Sequence, residues 1–189
     1  MSTSGDTTYS YTHVTVQERL QFSFDALDGA LKRIGTYPED NRFAPMAEAL
    51  LWIDLIDTAF YMDDKEPYKE ARDEWQDGFL VRGLRYARNR LTHDVMVYGM
   101  HGMKWEDGAF DSGFSKAFDI GTPKWRWRRV DDLGPFEPNN EWQRQQNAKL
   151  EAIYRKHLEA KEVEPILEDA ANFLRRYRTG WTPTPDEEE

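Results

Sequence analysis

The chain has 189 residues, 39% of them hydrophobic and 14% aromatic, with seven Trp and a formal net charge of -10. That is apolar material for one core and too little length for two comfortable ones, so a single globular domain is expected and an intrinsically disordered chain is excluded. The lack of Cys removes disulfides, thiolate metal sites and cysteine nucleophiles, and the acidic balance argues against a protein that coats nucleic acid, while leaving room for an enzyme that meets RNA at one basic cleft.

Residues 1–11, rich in Ser, Thr, Gly and Tyr, read as a loose arm. No basic segment leads into an apolar stretch, and the longest apolar run, Ala47 to Phe60, is broken by Glu48, Asp54 and Asp57. Neither secretion nor a membrane span is encoded, so the expected location is cytoplasmic. From Thr12 the pattern is helical: Leu20, Phe24, Leu27, Leu31 and Ile34 share one stripe, and Gly35 with Pro38 ends it. A second helix is expected from Ala44 to Met62, with Pro45 tolerated in its first turn. Leu51, Leu55, Ala59 and Met62 make one apolar row, with Trp52, Ile56 and Phe60 beside it, which marks a wide-faced, central helix. Asp54 and Asp57 interrupt it; they belong either to a solvated edge or to a contact that orients basic residues elsewhere.

A third helix is expected over about Tyr68 to Val95, burying Leu80, Leu84, Ala87, Leu91 and Val95, with Phe79 and Tyr86 widening the stripe. From Tyr98 to Asn140 glycines and prolines recur and helical period is lost. Within this loop-rich insertion, Lys124 to Val130 alternates Trp and Arg as a short strand would, pairing with Val95 to Tyr98 or with Ala109 to Ile120. Its Trp residues suit a flap over one end of a bundle, or a surface on which bases stack. Asn139 or Asn140 caps a helix from Glu141 to about Ala160, with an apolar stripe from Leu150 through Ile153 or Tyr154 to Leu158. A last helix starts near Glu164 and Pro165 and buries Val163, Leu167, Ala170, Leu174 and Tyr177, and residues 181–189 form an acidic tail. The sum is one all-α domain over 1–189, an up-and-down bundle of about five helices with a small loop-rich, β-like insertion at about 98–140.

The least expected feature is a reversal of charge. Arg82, Arg85, Arg88 and Arg90 precede His93, and between Gln76 and Asp94 the only acidic residue is Asp77. Arg82, Arg85, Asn89 and His93 are three, four and four residues apart, so one helical flank presents two guanidinium groups, an amide and an imidazole. Arg88 stands about 100° round from Asn89, near enough for its long side chain to reach the same groove.

The string Arg88-Asn89-Arg90-Leu91-Thr92-His93 resembles the signature of the HEPN superfamily, all-helical domains with an Arg, four to six residues and a His, usually with a polar residue directly after the Arg. The resemblance implies a helical bundle that often dimerises with its motifs facing each other. In many members it implies a metal-independent endoribonuclease of toxin–antitoxin, phage-defence or RNA-processing systems, with RNA as substrate and an antitoxin or other protein as partner. Carried over by position, Arg88 and His93 are the catalytic pair and Asn89 their polar helper, with Arg82, Arg85 and Arg90 as substrate-binding residues.

Such chemistry needs a base for the 2'-hydroxyl proton, cationic donors around the phosphorane and an acid for the departing 5'-oxygen. His93 can be base or acid, and Arg88 offers a planar, always charged fork. One imidazole cannot readily do both jobs, which is a physical reason to expect a two-fold homodimer. Neither a metal nor another cofactor is called for: His93, Asp94, His101 and Asp107 make a weak metal set, and no phosphate loop, dinucleotide fingerprint or nucleophile elbow around Ser112 or Ser115 is present. His13 and His157 are lone and expected in solvent. The competing reading makes His93 a helix C-terminal residue beside Asp94 and pairs the arginines with Asp54, Asp57 or Glu74, giving a non-catalytic helical module that binds a protein, nucleotide or RNA.

Overall fold

The computed structural model describes residues 15–75, 77–91, 95–99, 123–135 and 140–180. Helix α1 (Val16–Thr36) begins where Thr15 and Glu18 cap one another. The Glu18 amide donates to Thr15 Oγ1 at 3.2 Å, and the Thr15 amide donates to Glu18 Oε2 at 2.8 Å. These bonds satisfy amides that a first helical turn leaves open, and those donated by Thr15 hold the Glu18 carboxyl below its usual range. Leu20, Phe24, Leu27 and Ile34 are buried as the spacing predicts, with Ala30 completing the stripe and Leu31 at its edge.

A 3-10 turn (Glu39–Asn41) leads into α2 (Phe43–Asp63). This helix is apolar on both sides. Met46, Ala49, Leu50, Ile53, Ile56 and Phe60 face the core. Of the expected row Leu51, Leu55, Ala59 and Met62, Ala59 is half-buried against the core, whereas Leu51, Leu55 and Met62 lie on the outside, 45%, 52% and 78% exposed.

The expected third helix is two helices. α3 (Lys65–Glu74) stops at Trp75, whose backbone is extended, and α4 (Gly78–Asn89) starts after the corner. A Cβ on Gly78 would collide with the Arg72 carbonyl, so the close approach of the two helices requires glycine there. α4 buries Leu80, Leu84, Tyr86 and Ala87 but ends at Asn89, and Val95 leads into strand β1 (Met96–Gly99) instead of prolonging the helix.

Strand β2 (Lys124–Trp127) pairs antiparallel with β1, Met96 opposite Trp127 and Tyr98 opposite Trp125. This is the first of the two expected pairings; the other, with Ala109 to Ile120, lies outside the described residues. Trp127 is buried in the core. Trp125 is half-buried between Phe43 and Tyr98, with ring centroids at 5.7 and 5.3 Å, and its indole donates to the Glu39 carbonyl. The hairpin is therefore a flap that closes one end of the bundle.

After a 3-10 turn (Val130–Asp132), the Asn140 side chain accepts from the Gln143 amide at 2.8 Å and starts α5 (Glu141–His157). α6 (Val163–Arg178) buries Val163, Leu167, Ala170 and Leu174, and Tyr177 joins Phe60, Tyr68 and Phe173 in an aromatic group with ring centroids 4.8–6.2 Å apart. His157, expected in solvent, is half-buried against Phe79 with ring centroids 3.9 Å apart. Burial first, then Lys156 and Lys161, lowers its pKa. Among the described residues the protein is thus mostly helical, six α-helices with one two-stranded sheet, and α2 packs against α1, α3, α4 and α6. No helix among them is long and apolar enough to cross a membrane.

Candidate functional site

Two carboxylates on one face of α2 meet three arginines and a tyrosine from α3 and α4. Asp54 and Asp57 are three residues apart, so both point at the groove where α4 crosses α2. They do not share the same environment there. Asp57 is 1% exposed. Its Oδ1 accepts from Tyr68 Oη at 2.7 Å and from Arg72 Nη1 at 3.2 Å, and its Oδ2 accepts from Arg85 Nη2 at 2.5 Å. A carboxylate so far from water persists only with partners of this kind. Burial, reinforced by the neighbouring Asp57 charge, pushes the Tyr68 hydroxyl well above its usual pKa, so it remains a donor to Asp57.

Asp54 lies nearer the surface, its side chain 11% exposed. Its Oδ1 accepts from Arg85 Nε at 3.2 Å, and its Oδ2 accepts from Arg88 Nε at 3.0 Å and Arg88 Nη2 at 2.7 Å. Arg85 thus bridges both carboxylates and also donates to Thr58 Oγ1 at 3.1 Å. Arg88 is held along one edge only. Its side chain is 39% exposed, and among the described residues its Nη1 has no partner. Two carboxylates against Arg72, Arg85 and Arg88 leave one positive charge in the group.

The other expected site residues are placed apart. Arg82 forms a surface ion pair with Asp73 at 3.0 Å. Asn89 is the half-buried last residue of α4. Arg90 is 2% exposed and donates to the Gly134 carbonyl, which anchors the segment after the flap to the end of α4. His93, with Thr92 and Asp94, lies outside the described residues, as do His101, Asp107, Ser112 and Ser115. Trp127 is too deeply buried to stack on a base.

Tyr68 and Arg72 belong to the network without having been singled out from the sequence. The available signal was their four-residue spacing, which puts both on one face of α3, combined with two Asp in an otherwise apolar helix. Among the described residues no three His, Asp or Glu side chains converge as metal ligands. The chain matches no family profile, no curated protein and no solved structure.

The arrangement can present a fixed cation. Asp54 grips Arg88 through Nε and Nη2, leaving the Nη1 corner of a rigid, always charged group toward solvent. A guanidinium held this way loses little freedom on meeting a phosphate oxygen, which is the geometric requirement for stabilising charge that develops during reaction.

Proposed function

We propose that this protein is a metal-independent endoribonuclease of the HEPN type, acting as a homodimer in a toxin–antitoxin or phage-defence setting. The observation that carries the reading is Arg88: fixed by Asp54, open on one corner, and placed in the last turn of α4 directly before the segment that contains His93. In this reading Arg88 stabilises the phosphorane, and Arg85 braces Arg88 through their shared carboxylate. His93 of one copy takes the 2'-hydroxyl proton, and its counterpart in the second copy protonates the departing 5'-oxygen. Asn89 orients the substrate, while Arg82 and Arg90 belong to the outer and inner margins of the basic region. The products carry 2',3'-cyclic phosphate and 5'-hydroxyl ends.

One observation favours a second reading. Asp57, Arg72 and Arg85 pair with one another within a single chain, as a network serving stability alone would. On that reading the chain is a non-catalytic helical module binding a protein, nucleotide or RNA. Incubating the purified protein, with His93→Ala beside it, with mixed cellular RNA in EDTA separates the two. Cyclic-phosphate ends that vanish in the variant support the nuclease; RNA left intact by both supports the module.

A further inference from the structure

Where the first turns of α1 run beside the last turns of α2, a cleft of about 710 Å³ opens, and its walls are mostly apolar. Val16 and Phe22 line it from α1, and Leu55, Ala59 and Met62 line it from α2. All of these but Ala59 are exposed among the described residues. Arg19 and Asp63 also line the cleft, and among the described residues their side chains make no hydrogen bond or ion pair. The cleft thus joins uncovered apolar surface to two charged groups still open to a partner.

The chain itself leads to this place. The capping box of Thr15 and Glu18 fixes the start of α1, and Val16, the first helical residue, is part of the cleft wall. Residues 1–14, which lie outside the described residues, therefore join the fold at the mouth of the cleft. Val14 directly precedes the cap, a position from which an apolar side chain commonly packs against the fourth helical residue. Here that residue is Arg19, whose stem is aliphatic and which belongs to the same wall.

We infer that residues 9–14 of the same chain lie across the cleft, with Tyr9 and Tyr11 against α2. Three features of the segment Tyr9-Ser10-Tyr11-Thr12-His13-Val14 fit that surface. The first is reach: four extended residues span about 13 Å, enough to bring Tyr11 from Thr15 back along the first two turns of α1. The second is spacing. Tyr9 and Tyr11 share one face of an extended backbone about 7 Å apart, close to the roughly 6 Å between Leu55 and Ala59, four residues apart on α2. The third is polarity. Between Asp6 and Thr15 there is no Asp, Glu, Lys or Arg, so covering the cleft strips no such charge of water. A phenol also suits walls that are apolar with polar groups at hand, because its ring packs while its hydroxyl meets Arg19 or Asp63. The inference stands apart from the ribonuclease reading, none of whose residues line the cleft.

The test follows chymotrypsin cleavage after Tyr9 and Tyr11 by mass spectrometry in the full chain, in full-chain Leu55→Glu, and in a synthetic peptide of residues 1–15. A bound segment is cut only when it is released, so wild-type cleavage at these two sites should be slower than in the peptide by about tenfold or more. Leu55→Glu, which puts a charge into the apolar wall, should bring the rate close to that of the peptide. Leu55 is exposed among the described residues, so this variant keeps its helices, as its unfolding midpoint will verify. Met62→Ser, also at an exposed position, repeats the test with a smaller change. Wild-type cleavage at the peptide's rate would overturn the inference. So would protection that survives both substitutions, which places the segment elsewhere, or protection that grows with protein concentration, which assigns it to a second copy.

Discussion

Asp54 and Asp57 are the same residue type, one turn apart on one helix, and each binds more than one donor, yet they serve different ends. Asp57 is sealed among Tyr68, Arg72 and Arg85, of which Arg85 also donates to Asp54 and Thr58. Asp54 sits at the margin and spends one of its oxygens on a guanidinium that still faces water. An ion-pair network can present a cation where it reaches the surface with a donor left over, and burial, more than residue type, separates the two ends here.

The largest effect should come from the inner end. Asp57→Ala leaves Arg72, Arg85 and the Tyr68 hydroxyl facing a buried gap and is expected to cost about 3–5 kcal/mol, read as the midpoint of urea unfolding. A loss below about 1 kcal/mol would mean that the inner end is no more structural than the outer one. Tyr68→Phe removes one donor and keeps the ring packing, and about 1–2 kcal/mol is expected by the same measurement. At the outer end the order reverses. Arg88→Ala breaks a part-exposed pair and should cost under about 1 kcal/mol of stability. On the ribonuclease reading it should also lower the cleavage rate by about a hundredfold or more.

How much of this was legible in the chain follows from the range over which each signal acts. The stripes of α1 and α6 repeat for several turns, and their buried residues fall where the period puts them. The corner between α3 and α4 was not legible, because Gly78 is required by a contact with the Arg72 carbonyl that exists only after folding, while the period of Leu80, Leu84 and Ala87 reads as one helix. On α2 the row Leu51, Leu55 and Met62 was legible but its direction was not. Apolar residues on every side give a helix no preferred face, and the core took the face of Leu50, Ile53 and Phe60. The arginine cluster stood out from its sign alone. Its partners Asp54 and Asp57 could be named as candidates, and only the crossing of α2 and α4 decides between a solvated edge and a clamp.

The smallest expected effect separates the pH dependence of stability from that of the reaction. The His157 pKa is lowered in the folded chain from the ordinary 6.5 by burial, then by Lys156 and Lys161. The unfolded chain therefore binds a proton more readily than the folded one as pH falls through that ordinary value. Stability is fully present above it and should decline modestly as the solution is acidified toward and through the lowered folded value. His157→Gln should flatten that part of the stability profile and, on the ribonuclease reading, leave the pH profile of RNA cleavage where it was. A stability profile unchanged by the substitution would assign the decline to other groups.

On the ribonuclease reading, the outer end of the network holds Arg88 for a phosphate. The most direct measurement is cleavage of mixed cellular RNA in EDTA by the wild-type protein, Arg88→Ala and Asp54→Asn, with unfolding midpoints determined on the same samples. Cyclic-phosphate ends are expected from the wild type, with near-complete loss in Arg88→Ala and a smaller loss in Asp54→Asn, all three chains being folded. Intact RNA with the wild type, or undiminished cleavage by a folded Arg88→Ala protein, would contradict that reading.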